Sequence, residues 1–448
     1  MLSVNEAEQR AAALVEAAMR AGADAADALY VGDAATSVQV RLGELEDVTR
    51  AEGEEIGLRL FVGSRSASVS SSDLSDDAMT ALVERATAMA REAPEDPYAG
   101  LAPAERLLTG AMAGIEADDG ADPSPVELKA LALAAEDAAR AHPGITNSEG
   151  GGMSAGRTVV GLATSHGFAR AYTTSGYGGW ASVIAGEGAG MQRDHASHSV
   201  RHFVDLDAPE AIGRLAAERA VKRLNPARLP SGAMPVIFDP RIGGSLIGHL
   251  VGALNGPSVA RKSSFLLGRE EETLFAPGIV IVDDPHRPRG LKSKPFDGEG
   301  VATVARRLID NGRMTGWLMN AAAARQLGLD VTGHAVRGTG GAPGAGATNV
   351  HLEPGALSPT ELMADVKRGV YVTELIGQGV NPVTGDYSRG ASGFLIENGE
   401  IAAPVAEITI AGNLIDMFRA LVPANDLEHR RAVNVPTLRI EGMMVAGA

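Results

Sequence analysis

The stretch GGSLIGHLVGALNG, residues 243–256, constrains this chain more than any other. It follows a strand-like segment, MPVIFDP, and reads as an apolar helix. Gly244, Gly248, Gly252 and Gly256 recur at every fourth position and form one stripe along it. A glycine inside a helix costs about 0.5–1 kcal/mol relative to alanine. Several of them need an offsetting contact, and the natural one is close approach by another backbone, either a packed strand or an incoming ligand. Ser245, His249 and Ala253 form the adjacent stripe. His249 fits a buried imidazole with one ring nitrogen hydrogen-bonded. A metal ligand would need a histidine or carboxylate three or four positions away, but positions 245, 246, 252 and 253 hold Ser, Leu, Gly and Ala. A general base would need a nucleophile nearby. Ser245 is one turn back, with no acid behind the pair.

The 448 residues exceed one ordinary core, so two or three domains are expected. There is no cysteine, which excludes disulfides, thiol catalysis and Cys-ligated zinc. With 40 basic and 56 acidic residues, the net charge of −16 repels phosphate backbones and argues against direct nucleic-acid binding by a general basic surface. No apolar run reaches the roughly 18–20 residues that span a bilayer. The first residues, MLSVNEAEQRAAALVEAAMRAG, form an amphipathic helix without the basic start and apolar core of a signal peptide. A soluble cytoplasmic protein without membrane contact is expected.

The pattern along the chain divides into three units. Residues 1–95 form an α+β unit. A helix at 5–21 is followed by strand-like faces at Val38, Val40 and Leu42 and at Ile56, Leu58, Leu60 and Val62. A helix N-capped by Ser75 then buries Met79, Leu82, Val83 and Ala86. Residues 106–225 form a central α/β unit that opens with a capping box at Ser124–Glu127, continues in long β runs and closes with a helix near 208–224. Residues 229–448 form a β-rich, barrel-like domain with a few packed helices. It carries Asn-Gly hairpin turns at 311–312 and 398–399 and a second capping box from Ser358 to Glu361. The fold class is α+β.

Other candidates are few. His195, His198 and His202, with Asp194, make the best metal-like cluster, although the surrounding pattern is that of a solvated polar strand. Residues 332–350, TGHAVRGTGGAPGAGATNV, are Gly-rich but lack the Gly-Lys-Ser/Thr ending of a phosphate loop, so a flexible loop beside a groove is expected. Arg261, Lys262, Ser263 and Ser264 could hold the carbonyls or a carboxylate of an extended peptide, or form a surface turn. Thr348 and Asn349 join them as peptide-cleft candidates.

Three long segments, NEAEQRAAALVEAAMRAGADAADALYV, TNVHLEPGALSPTELMADVKRGVYVTEL and GDYSRGASGFLIENGEIAAPVAEITIAGNL, resemble the TldD/PmbA family and together span nearly the whole chain. TldD-type members carry a zinc-peptidase helix, His-Glu-x-x-x-His, with a further cysteine ligand. In that register Gly248 and Ala253 stand in place of the two histidines, and His249 in place of the glutamate base. The chain therefore resembles the PmbA (TldE) branch. The resemblance implies no catalytic residue and no metal in this chain, with zinc only in a TldD-type partner. It implies a heterodimer with that partner, or a homodimer in isolation, enclosing a cleft for unfolded or extended peptides. It also links the family to microcin-type maturation, antitoxin degradation and modulation of DNA gyrase. Two other readings stay open: a stand-alone hydrolase using His195, His198 and His202, and a non-proteolytic regulator in a gyrase–toxin system.

Overall fold

The computed structural model describes residues 1–447. Helix α1 (Val4–Arg20) starts at a full capping box between Ser3 and Glu6 and buries Ala7, Ala11, Leu14, Val15 and Ala18. Strands β1 (Ala25–Arg41), β2 (Glu44–Val62) and β3 (Arg65–Ser71) form a meander, followed by α2 (Asp76–Glu92), which Ser75 caps. Helix α3 (Pro125–Arg140), strands β4 (Ile145–Thr164), β5 (Ala169–Ala185) and β6 (Gln192–Val200), and helix α4 (Pro209–Lys222) complete the N-terminal half.

These six strands make one antiparallel sheet in the order β3-β2-β1-β4-β5-β6. Strand β1 pairs with both β2 and β4, so the first two expected units share a single sheet. The alternation of strand side chains then separates two jobs. Tyr30, Val38 and Val40 on one face of β1 pack with the helices, while Asp27 and Leu29 on the other turn toward the C-terminal half. Leu42 does not continue the Val38–Val40 face. It sits in the β1–β2 turn at φ 55° and is exposed. Ser124 caps α3 through the Glu127 amide, but the return bond from the Glu127 side chain is missing, so only half of the expected box forms. Ser358 and Glu361 form both halves.

The C-terminal half begins with β7 (Gly232–Phe238), α5 (Pro240–Ala253) and α6 (Gly256–Ala260). Short strands follow: β8 (Ile281–Asp283), β9 (Arg306–Asp310) and β10 (Arg313–Met314), then helix α7 (Ala321–Leu327). Next come β11 (Ala335–Val336), β12 (Gly344–Ala345), β13 (Val350–Leu352) and helix α8 (Pro359–Met363). The long strands β14 (Arg368–Ile376), β15 (Asp386–Glu397) and β16 (Glu400–Asn413) lead to α9 (Leu414–Arg419), β17 (Leu421–Pro423), β18 (Val433–Asn434) and β19 (Leu438–Ala446). Strands run β16-β15-β14-β7-β19, and a further β16–β19 pairing closes them into a five-stranded barrel. Both Asn-Gly turns adopt left-handed conformations, with Asn311 and Gly312 at φ 48° and 81° and Asn398 and Gly399 at 52° and 85°, as tight hairpins require. Among the described residues no helix is long and apolar enough to cross a membrane.

The two halves meet through a buried ionic network. Arg59 on β2 donates through Nε to Asp27 Oδ2 at 3.0 Å, and Arg337 donates to Asp27 Oδ1 at 2.5 Å. Arg59 also lies 3.6 Å from Glu299. All four side chains are nearly inaccessible. Arg337 belongs to the Gly-rich segment, which is therefore not a free loop beside a groove. Its neighbour Thr339 hydrogen-bonds Glu55, and a Cβ added at Gly57 would lie 1.9 Å from the Thr339 carbonyl. Only glycine lets β2 and this loop touch.

Two outcomes follow. Gly57→Ala must push the loop off β2 and should destabilise the chain by about 1–3 kcal/mol. Gly53→Ala, where a Cβ meets nothing within 4 Å, should shift it by less than about 0.5 kcal/mol in the same chemical denaturation experiment. Burial pushes Glu299 up to about 7, against the pull of Arg59. A carboxyl raised in the folded state stabilises the fold while protonated, and that contribution is lost as pH climbs from about 4.5 through 7. It amounts to roughly 3 kcal/mol at most. Glu299→Gln keeps an acceptor for the Ala321 amide that Glu299 now binds. It should flatten the slope of stability against pH between 5 and 8.

Candidate functional site

Strand β7 runs through the barrel and hands the chain to α5. The N-terminus of α5 is set by Pro240 in its first turn and by Asp239, whose carboxylate accepts the Arg241 amide at 2.8 Å and the Tyr371 hydroxyl at 3.1 Å. The helix buries Gly243, Leu246, Ile247, Leu250 and Ala253.

The glycine stripe is not uniform. At Gly244 a Cβ would lie 3.1 Å from the Val433 carbonyl, and at Gly256, just beyond α5, 2.7 Å from the Leu318 carbonyl. Those two glycines serve close backbone approach, as expected. Gly248 and Gly252 do not. Both are exposed, and a Cβ at either meets nothing within 4 Å. The middle of the helix thus has an open, side-chain-free flank.

His249 lies beside that flank, half-buried and edge-on to Tyr387 with ring centroids 6.2 Å apart. Its Nε2 is buried without a hydrogen-bond partner, and so is the hydroxyl of the fully buried Tyr387. The expected bond to one ring nitrogen is therefore absent at Nε2. Burial, and then Arg389, hold His249 below its ordinary value, so the imidazole is neutral at pH 7. Ser245 is not its nucleophile, because Ser245 Oγ donates to the Ile242 carbonyl at 2.7 Å.

The zinc-peptidase donor set does not fit here. A catalytic zinc needs three protein ligands and a base for its water. Gly248 and Ala253 offer no donor atoms, and among the described residues no three His, Cys, Asp or Glu side chains converge in a metal-binding group. The histidines of β6 are held apart. His195 and His198 fall on opposite faces of the strand. His198 Nδ1 accepts the Asp207 amide at 3.2 Å, and His202 Nε2 lies 2.9 Å from the Glu116 carbonyl.

The remaining candidates are mostly structural. Ser264 is buried and donates to the Ala253 carbonyl at the end of α5, and Ser263 donates to the Ser258 carbonyl. Arg261 and Lys262 are exposed on the turn between them and the helix. Thr348 is buried with its amide and hydroxyl on Asp283, and Asn349 is buried with Asp284, Ser293 and Lys292. Both side chains are engaged by these buried partners.

The open space lies at the other end of α5. A cavity of about 950 Å³ sits between β6 and α4 on one side and the start of α5, Arg389 and segment 426–435 on the other. A second, of about 660 Å³, continues from it past His198 and Arg430 to Arg287 and Arg289. Together they are lined by eight arginines against five carboxylates, in a chain whose net charge is −16. Strand β6 is the edge of its sheet, and Ser197, His198 and Ser199 line the cavity. Asp194 on β6 anchors the wall, taking both ends of the Arg241 guanidinium at 3.0 and 3.3 Å and Arg223 at 3.4 Å. Burial pushes Asp194 up, but Arg241 and Arg223 outweigh it and hold the carboxyl below its usual range. This cleft went unrecognised in the sequence because its arginines come from α4, α5, β15, the segments at 201 and 287–289 and the 430–431 pair, which are scattered over positions 201 to 431. The adjacent Arg430 and Arg431 were its one local sign.

Models of three family domains match in order: PmbA/TldA metallopeptidase domain 1 over residues 26–90, the central domain over 118–224 and the C-terminal domain over 231–447. The chain is 40% identical to the metalloprotease PmbA of Escherichia coli O157:H7 over 413 residues, covering 92% of this chain and 90% of that one. It is 37% identical to the PmbA homologue of Haemophilus influenzae, covering 100% and 98%. Among solved structures, a protein from Bacteroides thetaiotaomicron, titled as a candidate modulator of DNA gyrase, superposes with a TM-score of 0.92 at 27% identity over the whole of both chains. TldE of Thermococcus kodakarensis shares the fold at a TM-score of 0.86 and 21% identity, covering 97% of this chain and 99% of that one. With all three domain models in sequence and relatives this similar over almost its full length, the chain belongs to the PmbA/TldD metallopeptidase family.

Proposed function

We propose that this chain is the zinc-less, non-catalytic subunit of a cytoplasmic TldD–TldE-type peptidase that trims unfolded or extended peptides. Such peptides include microcin-type precursors and unfolded antitoxins. The observation that carries this reading is α5 itself. In the register that the family resemblance implies, the positions that bear donors in a zinc-peptidase helix hold Gly248, His249 and Ala253, and the flank at Gly248 and Gly252 is open. A helix that gives up about 0.5–1 kcal/mol at each exposed glycine, with no contact inside the chain to offset it, keeps room for something outside the chain. An extended peptide or the partner's backbone would fill that room. The free edge of β6, facing the cleft, suits an extended peptide adding as a further strand. The net charge argues that any effect on gyrase runs through a peptide rather than through contact with DNA.

The test is reconstitution with a TldD-type zinc subunit. Cleavage of an unfolded peptide should need both chains, and this chain alone should leave the peptide intact. Cleavage by this chain alone, or full activity of the zinc subunit without it, would contradict the reading. Gly252→Ala should stabilise the isolated chain by about 0.5–1 kcal/mol in thermal or chemical unfolding. Gly252→Phe should fold as well as the parent but lower the cleavage rate of the pair.

A further inference from the structure

The cleft carries more positive charge than its own carboxylates consume. Asp207 pairs with Arg430 and Asp205 with Arg289. Asp239 caps α5 and lies 3.9 Å from Arg241, Asp426 accepts the Thr437 amide and hydroxyl at 2.9 and 2.7 Å, and Glu428 stands exposed at the rim. Asp194, just behind the wall, is spent on Arg241 and Arg223. Among the described residues, Arg219 and Arg431 have no carboxylate within 4 Å, although both line the same cavity as Arg241. Arg219 makes one bond, to the His195 carbonyl of the edge strand at 3.1 Å.

Their crowding is visible in the electrostatics. Burial lowers the Arg219 guanidinium from its ordinary value, Arg241 and Arg431 lower it further, and Asp194 and Asp239 offset this only in part. Arginine stays charged even so, and three guanidiniums share this corner with two carboxylates, the buried Asp194 and Asp239, whose Oδ1 lies 3.9 Å from Arg241 Nε. The positive charge left over in this corner favours an anion arriving from outside. The start of α5 is not what attracts it, since Asp239 already satisfies that end. The rest of the wall mixes Leu215, Leu291, Leu375 and Val435 with Asp207, Asp426 and Glu428, which would repel a polyanion. This favours a carboxylate on an otherwise uncharged chain over a highly charged polyanion.

We infer that the cavity between β6–α4 and segment 426–435 is a carboxylate subsite, in which Arg219 and Arg431 beside Arg241 hold an acidic side chain or the C-terminal carboxylate of an extended peptide. This rests on the peptide-cleft reading above and deepens it. The anion sits at the free edge of β6, so a strand added there would be held by its backbone along the edge and by its charge at the arginines. Acidic or free-ended segments are thereby selected over neutral, blocked ones.

Binding of fluorescein-labelled unfolded decapeptides tests it by anisotropy, using the full chain alone and mixed with its TldD-type zinc partner. One peptide has a free C-terminal carboxylate and no acidic residue. A second is the same with an amidated end. A third is amidated with a single glutamate near that end. The neutral amidated peptide should bind at least about tenfold more weakly than one or both charged peptides, in keeping with the strength of charge-assisted hydrogen bonds. Which charged peptide binds tighter identifies the source of the carboxylate. Arg431→Gln, at an exposed residue without an ion pair, should reduce that discrimination to under about threefold. Arg219→Gln should do the same. Equal binding of all three peptides would overturn the carboxylate subsite and leave the peptide cleft standing. Absence of binding by any peptide, to the chain or to the pair, would overturn the peptide reading itself.

Discussion

The buried meeting of Asp27, Arg59, Arg337 and Glu299 decides how the two halves of this molecule sit together. Two guanidiniums converge on one carboxylate, and a second carboxyl lies 3.6 Å from Arg59. Buried charges of this kind are a poor source of net stability, because desolvation offsets much of the attraction. Their value is geometric. A charge-paired contact between a strand of the N-terminal sheet and a loop of the C-terminal half permits one arrangement, since a slipped one would strand charge in an apolar interior. Gly57 adds a steric condition, admitting the Thr339 carbonyl where any side chain would exclude it. With the sheet so placed, edge strand β6 comes to lie opposite the start of α5, and the cleft is the space left between them.

Within that frame α5 has two ends with different tasks. Its first turns are tied down by Asp239, by Gly244 against Val433, and by Arg241 reaching across to Asp194 on β6. Its second half presents Gly248 and Gly252 to open space and His249 to Tyr387. The neutral imidazole and the protonated phenol each keep a buried polar atom unpaired, an arrangement that costs on the order of 1–3 kcal/mol per group when nothing supplies a partner. On the proposed reading, another molecule completes this surface.

Much of the fold was legible in the sequence for local reasons. The capping residues Ser3, Ser75 and Ser358, the Asn-Gly turns at 311 and 398, and the period-two faces of β1 and β2 are written within a few residues of where they act. The barrel-like C-terminal domain was legible as a class, but its closure through β16 and β19 depends on pairing between distant strands. The continuity of the N-terminal sheet was hidden for the same reason, because β1 and β4 are about a hundred residues apart. Misreadings came where polar residues were taken for surface chemistry. Ser264, Thr348 and Asn349 satisfy buried backbone and carboxylate groups instead. The Gly-rich segment looked mobile because its composition is, yet Arg337 within it is among the most buried charges in the protein. The α5 helix was located from its own sequence. What lies across from it was not, since Arg219, Arg389 and Arg431 carry no common motif.

The account turns on α5 being a zinc-peptidase helix without its donors, and metal content tests that most directly. The purified chain, folded in excess zinc and dialysed against buffer without chelator, should hold far less than one zinc per chain by elemental mass spectrometry. A TldD-type relative treated the same way should hold close to one. Stoichiometric zinc in this chain that is lost on His249→Ala would contradict the account.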